Sequence, residues 1–212
     1  FGTINGLVKN GNNSVLDAND GLRRDGSLQT LPFKAGKAYR QALSRLAEMD
    51  VLQWSAERPE SLYFHSREGA QFISGGWLEE YAWHCARDAG IEECYCGADI
   101  VDVERRSDVR NEVDCLAVHR NRMLLIECKA RRIQARDSQD ILNKLRTISE
   151  QFAGQFGTRV LLTLDDLGTG KSRSQHVSRA RDLKIHLVGA SELKRLPQMI
   201  QGWMEDGRWR LE

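Results

Sequence analysis

Two acids and a lysine in residues 111–132 are spaced in a way that suits phosphoryl chemistry. Residues 113–119 and 122–128 are short, mostly apolar runs separated by Arg120 and Asn121. That is a β-hairpin pattern, although Arg-Asn is a weaker turn pair than Asn-Gly. A two-residue loop sets His119 opposite Arg122 and, in the same register, Asp114 opposite Glu127; a four-residue loop gives the same pairing. Opposed residues on antiparallel strands share a face, with Cβ atoms about 5 Å apart. Lys129, two residues beyond Glu127, falls on that face too. One side of the hairpin therefore gathers two carboxylates and an ammonium, while Leu124, Ile126 and Cys128 point the other way.

Facing carboxylates oppose each other's ionisation unless a cation lies between them. A divalent metal removes the conflict, and oxygen ligands suit Mg²⁺ or Mn²⁺. Asp114 and Glu127 are the candidate ligands. Without metal they are expected to crowd each other, so that Asp114→Asn would stabilise the apo chain. Lys129 is placed to polarise a water and offset developing negative charge. An ordinary ion-paired hairpin is the plain alternative for Glu127-Cys128-Lys129 alone, but Asp114 at the matching register argues for a site.

These residues resemble the PD-(D/E)xK nuclease superfamily, whose signature is an acid followed, after a hairpin, by Glu-x-Lys. Gly76-Trp77-Leu78-Glu79, Asn111-Glu112-Val113-Asp114 and Ile126-Glu127-Cys128-Lys129 are together similar to the nuclease domain of CRISPR ancillary nucleases activated by cyclic oligoadenylate. In that family a CARF sensor domain precedes the nuclease. The resemblance runs from residue 66 to the C-terminus. It implies an α/β, restriction-endonuclease-like sandwich with a mixed central sheet flanked by helices. It also implies Glu79 as a third catalytic and metal-binding acid, the Cys128 carbonyl as a further ligand, and Lys144 of a Lys-Leu pair as a phosphate contact. Arg131 and Arg132, in the basic loop after Lys129, are further candidate nucleic-acid contacts. Cyclic oligoadenylate would bind only through a sensor domain, for which residues 1–34 are too short, and the family implies a homodimer. The expected activity is metal-dependent hydrolysis of DNA or RNA. The competing readings are a nucleic-acid-binding module of the same fold that no longer cuts, and a structural domain with an ion-paired hairpin.

The surrounding elements follow from periodicity. Residues 77–89 read as a helix with Leu78, Tyr81, Ala82, Cys85 and Ala89 inward; at about 100° per residue Glu79 borders that stripe and Glu80 faces water. Residues 93–104 read as a strand entering the hairpin. Ser138 is the expected N-cap of a helix carrying Ile141, Leu142, Leu145, Ile148 and Phe152 and stopping at Gly157. Residues 159–164 and 185–188 read as strands around a short helix near residues 176–183. Ser191 is the expected cap of a last helix with Leu193, Ile200, Trp203 and Met204. Upstream, residues 1–34 have the Gly-, Asn- and Asp-rich character of loops or a linker. Residues 36–50 read as a helix with Tyr39, Leu43, Leu46 and Ala47 on one face, followed by a hairpin of residues 51–55 and 61–65. The organisation expected is a connector (1–65) with a small helix and hairpin, then a nuclease domain (66–212).

Net charge is only +1 over 212 residues, so any nucleic-acid surface must be a local patch. Residues 120–146 supply one, with eight lysines and arginines against three acids. The absence of a recognisable base-reading element favours low sequence specificity. Five cysteines, an odd number in or beside apolar runs, favour reduced, buried thiols in a cytoplasmic protein. Cys94 and Cys96 lack the second pair that a zinc site needs. Gly168-Thr169-Gly170-Lys171-Ser172 imitates the end of a P-loop, but position 165 is Asp where the motif needs glycine. No apolar run reaches the length of a membrane span, and no signal peptide is visible. A start at Phe1 rather than Met suggests a fragment or processed product.

Overall fold

The computed structural model describes residues 8, 14–17, 19, 21–23, 27–101, 110–130, 133, 135–164 and 170–210. The chain divides into two compact units, Phe1–Trp77 and Leu78–Glu212.

The first unit contains β1 (Leu28–Thr30), α1 (Lys37–Glu48), β2 (Ser61–Tyr63) and α2 (Arg67–Gln71). Leu43 and Leu46 of α1 are buried, on the face that periodicity predicts. The hairpin is paired differently from the sequence reading. β2 lies antiparallel to β1, from Leu28↔Tyr63 to Thr30↔Ser61, and meets the expected partner only at Gln53. Three residues are too few to show alternation, so β1 was invisible within a loop-like stretch. Burial decides the pairing: Val8, Val15, Leu16 and Leu31 from that stretch pack with Leu43, Leu52, Leu62 and Phe64 in one core. Ser66 caps α2 by accepting the Gly69 amide (3.1 Å). Gly69 must lack a side chain, because a Cβ there would collide with the Val51 carbonyl.

The second unit is built from α3 (Trp77–Asp88), β3 (Glu93–Val101), β4 (Arg110–His119), β5 (Arg122–Lys129), α4 (Ala135–Phe152), β6 (Gly157–Thr163), α5 (Gly170–Asp182), β7 (Ile185–Val188) and α6 (Leu196–Asp206). The strands lie in sequence order in one mixed sheet. β3, β4 and β5 are antiparallel neighbours, whereas β6 and β7 are added in parallel. Two successive crossovers stepping the same way, with the usual single handedness, put their helices on the same face. Accordingly Leu142, Leu145 and Ile148 of α4 and Ala180 of α5 pack with Leu125, Leu161 and Ile185. The other face holds α3 and α6. There Cys128 Sγ donates to the Leu78 carbonyl (3.8 Å), and Trp203 Nε1 donates to Thr158 Oγ1 (2.9 Å). This is the α/β sandwich with a mixed, helix-flanked sheet that the sequence predicts, plus a small N-terminal strand pair and helix.

Several boundaries differ. α4 already begins at Ala135, so Ser138 lies inside it, and Ser138 Oγ hydrogen-bonds His176 Nδ1 on α5 (2.8 Å) rather than capping. Gly157 opens β6 instead of ending the helix. α5 starts at Gly170, earlier than the expected helix. Ser191 is not the cap of α6: a 3₁₀ turn (Leu193–Arg195) intervenes, and Pro197 occupies the first turn, where a missing amide costs nothing. The burial expected of the cysteines is met at Cys85, Cys94, Cys115 and Cys128 and not at Cys96, which is exposed. Among the described residues no helix is long and apolar enough to cross a membrane.

Candidate active site

The hairpin turn is two residues long. Arg120 (φ 48°) and Asn121 (φ 60°) both adopt the left-handed conformation, as a type I′ turn requires, and His119 pairs with Arg122. The register runs to Cys115↔Ile126, one step short of Asp114 and Glu127, as the sequence predicts. Beyond that pair the Asp114 side chain takes over: its Oδ2 accepts the Cys128 amide at 2.6 Å. That bond fixes the carboxylate against β5. On the other side, Gly97 falls opposite Asp114, between Cys96↔Cys115 and Ala98↔Val113, and its φ of +62° is left-handed. The sequence reading missed this kink, although a glycine within a strand pattern was the available signal.

Lys129 stands where the acids meet. Its Nζ is 2.6 Å from Glu127 Oε1 and 3.5 Å from Asp114 Oδ2, and it donates to the Cys128 carbonyl at 3.0 Å. Three oxygens thus converge on one cationic centre. Lys129 compensates part of the crowding expected of Asp114 and Glu127, so neutralising Asp114 would remove an attraction to Lys129 along with the repulsion. Burial, then the Asp114 charge, raise the Glu127 pKa; Lys129 and Lys144 pull it down without prevailing. Burial alone would depress Lys129, yet Glu127 and Asp114 outweigh it and hold its pKa above the usual lysine value.

Glu79 on α3 is half-buried and Glu80 exposed, as the helix phase predicts. Burial first, and the Asp114 charge second, push the Glu79 pKa up to about 7, against the opposing pull of Lys129. Lys144 on α4 places Nζ 3.9 Å from Glu127 Oε1 with its side chain 44% exposed. Arg131 and Arg132 lie outside the described residues, as does the segment 165–169 of the P-loop-like stretch. The basic run is partly spent on structure. Arg122 donates to the Trp203 and Met204 carbonyls at the end of α6 (3.1 and 2.7 Å), and Arg146 pairs with Glu150 (2.8 Å).

The donor set suits a hard divalent cation: two carboxylates and a main-chain carbonyl already surround a positive charge. Among the described residues no three His, Cys, Asp or Glu side chains are gathered closely enough to hold a metal ion. Asp114, Glu127, Cys128 and Lys129 are brought together, whereas Glu79 is near enough to sense their charge but is not a third side chain in a ready-made cage.

Comparison with solved structures gives two similar folds. Protein VC1899 from Vibrio cholerae matches with a TM-score of 0.67 and 24% identity, over 83% of this chain and 45% of that one. Can2 from Sulfobacillus thermosulfidooxidans, solved in complex with cyclic tetra-adenylate, matches with a TM-score of 0.62 and 19% identity, over 84% of this chain and 47% of that one. The chain therefore spans about half the length of each (45% and 47%). No curated protein matches it. The sequence model of the Card1-like endonuclease domain matches residues 66–206, more than half of the chain and all of the acid–lysine constellation. By that match, this chain belongs to the Card1-like endonuclease domain family, of the PD-(D/E)xK type.

Proposed function

We propose that this chain is a divalent-metal-dependent nuclease domain that hydrolyses phosphodiester bonds with low sequence specificity. The observation that supports it best is the convergence of Asp114, Glu127 and the Cys128 carbonyl on Lys129 Nζ, within an endonuclease family. Asp114, Glu127 and the Cys128 carbonyl would hold Mn²⁺ or Mg²⁺, which supplies a bound water of lowered pKa and neutralises charge on the phosphoryl oxygens. The Cys128 amide keeps the Asp114 carboxylate aimed. Lys129, its charge sustained by the neighbouring carboxylates, would offer its ammonium to the attacking water or a non-bridging oxygen. Glu79, with its pKa near neutrality, can hold or release a proton beside that centre and complete coordination through water. Lys144, on the exposed side of Glu127, is placed to meet a phosphate, and Arg131 and Arg132 extend the basic surface.

Residues 66–212 form the nuclease domain in this reading and residues 1–65 a connector. Can2 is recorded with cyclic tetra-adenylate, and this chain covers about half of it (47%). The parent protein is accordingly read as a cytoplasmic, CRISPR-associated antiviral effector, homodimeric, and switched on by cyclic oligoadenylate in a separate sensor domain. The test is to incubate the full-length parent with labelled single-stranded DNA, nicked duplex and RNA in Mn²⁺, with and without cyclic oligoadenylate. Cleavage that requires both metal and activator supports the reading. Binding without cleavage under every condition would identify a module that no longer cuts.

A further inference from the structure

The first unit carries a groove that the nuclease chemistry does not use. It has a volume of about 790 Å³, and its lining includes Lys37, Arg40, Ser44, Arg45, Glu48 and Trp54. The spacing explains the face: residues 37, 40, 41, 44 and 48 recur at three- and four-residue steps on α1, opposite the buried Leu43 and Leu46. Three cations against one acid is a local surplus in a chain of net charge +1. Those cations are not consumed by the fold. Lys37 and Arg45 form no ion pair among the described residues, and Arg40 uses only Nε, donating to the Ala35 carbonyl at 2.9 Å. Trp54 is half-buried in the wall, and its indole N–H is fixed on the Pro59 carbonyl (3.1 Å), so the ring is held in place.

A smaller groove of about 430 Å³ shares Ala35 with the first and adds Phe33, Lys34, Pro59 and Glu60, so the surplus of cations lies in the first groove. Phe33 is exposed and packs edge-on against Tyr39, with ring centroids 5.0 Å apart. Together the two grooves set Lys37, Arg40 and Arg45, none of them in an ion pair among the described residues, beside two aromatic rings, Trp54 and Phe33. A polyanion whose bases can be unstacked fits that pattern: cations track phosphates, and aromatic faces take bases regardless of sequence.

We propose that this surface binds a single strand of nucleic acid and so gives the chain a second substrate contact outside the acid–lysine site. The ligand class rests on the nuclease reading above; the surface itself does not. The test is binding rather than cleavage. Oligothymidine, oligouridine and a DNA duplex, each fluorescently labelled, are titrated with the whole chain in EDTA. Lys37→Glu/Arg45→Glu is compared with Arg181→Glu/Lys194→Glu, an equal charge change at exposed positions elsewhere.

Wild type should bind single strands more tightly than duplex. The α1 variant should lose about tenfold or more in single-strand affinity, and its salt dependence should flatten by about 1.4 in log–log slope, roughly 0.7 per cation removed. Unchanged affinity, equal loss in both variants, or loss confined to duplex overturns the proposal. Lys37→Gln/Arg45→Gln, with melting temperature as a folding check, serves if the reversal unfolds the unit. Because metal is absent throughout, a chain that binds here but never cuts contradicts only the nuclease reading. A chain that cuts in Mn²⁺ but binds equally well after the α1 reversal contradicts only this one.

Discussion

Lys129 Nζ lies 2.6 Å from Glu127 Oε1 and 3.5 Å from Asp114 Oδ2, so the cation that two facing acids require is already supplied by the third motif residue. Removing it leaves two buried acids facing each other, the situation in which breaking an ion pair costs most.

Lys129→Ala should therefore lower stability in EDTA by on the order of 3 kcal/mol near pH 8, and less near pH 5. The sign follows from Glu127. Its folded pKa is raised, so it favours folding while protonated and loses that contribution as pH rises. Without Lys129 the pKa rises further and the loss deepens. Melting temperatures of both proteins across that range check this; a pH-independent difference would mean that Lys129 stabilises by packing alone. The variant should also be inactive.

Asp114→Asn should not stabilise the apo chain. The amide oxygen can keep the Cys128 N–H bond, while repulsion from Glu127 and attraction to Lys129 are lost together. The net change should stay within about 1 kcal/mol, with cleavage lost. A clear rise in melting temperature in EDTA would restore the picture of uncompensated crowding.

How far these outcomes could be foreseen depends on which contacts are local. The Asp114/Glu127 face was legible because one tight turn fixes the register of a hairpin, and each apolar residue in it confirms the phase. Glu79 over Glu80 was legible from helix periodicity. By contrast, the partner of β2 is more than thirty positions away, in Leu28–Thr30, and three residues show no pattern. Ser138 and Ser191 had the right chemistry for caps, but tertiary context used one to meet His176 and bypassed the other with a 3₁₀ turn. The basic run overstated the nucleic-acid surface for a similar reason: a charge count cannot tell an arginine facing a phosphate from Arg122 closing α6.

That role of Arg122 is separately testable. Arg122→Met should cost about 1–2 kcal/mol by leaving the Trp203 and Met204 carbonyls without their charged donor, and cleavage per folded molecule should be unchanged. A large loss of activity at unchanged stability would return Arg122 to the substrate surface.

Glu79 should set a pH dependence of its own. With its pKa near 7 when folded against 4.5 as the reference, it favours folding below 4.5, and that contribution is lost as pH rises through about 7. In EDTA, Glu79→Gln should melt progressively higher than wild type as pH climbs through that window, and it should reduce cleavage by about 10- to 100-fold. Glu80→Gln, on the exposed side, should change neither. The reverse pattern would show that Glu80 is the acid coupled to the site.

The most direct test of the central claim is a Mn²⁺ titration of the chain by calorimetry, wild type against Glu127→Gln. If Asp114, Glu127 and the Cys128 carbonyl form a metal site, wild type shows saturable binding and a melting temperature that rises with metal, by about 2.7 kcal/mol of stability at a hundredfold excess over Kd. Both signals disappear in Glu127→Gln. Equal Mn²⁺ binding by the two proteins, or none by wild type at millimolar metal, would contradict a metal-dependent site at these residues.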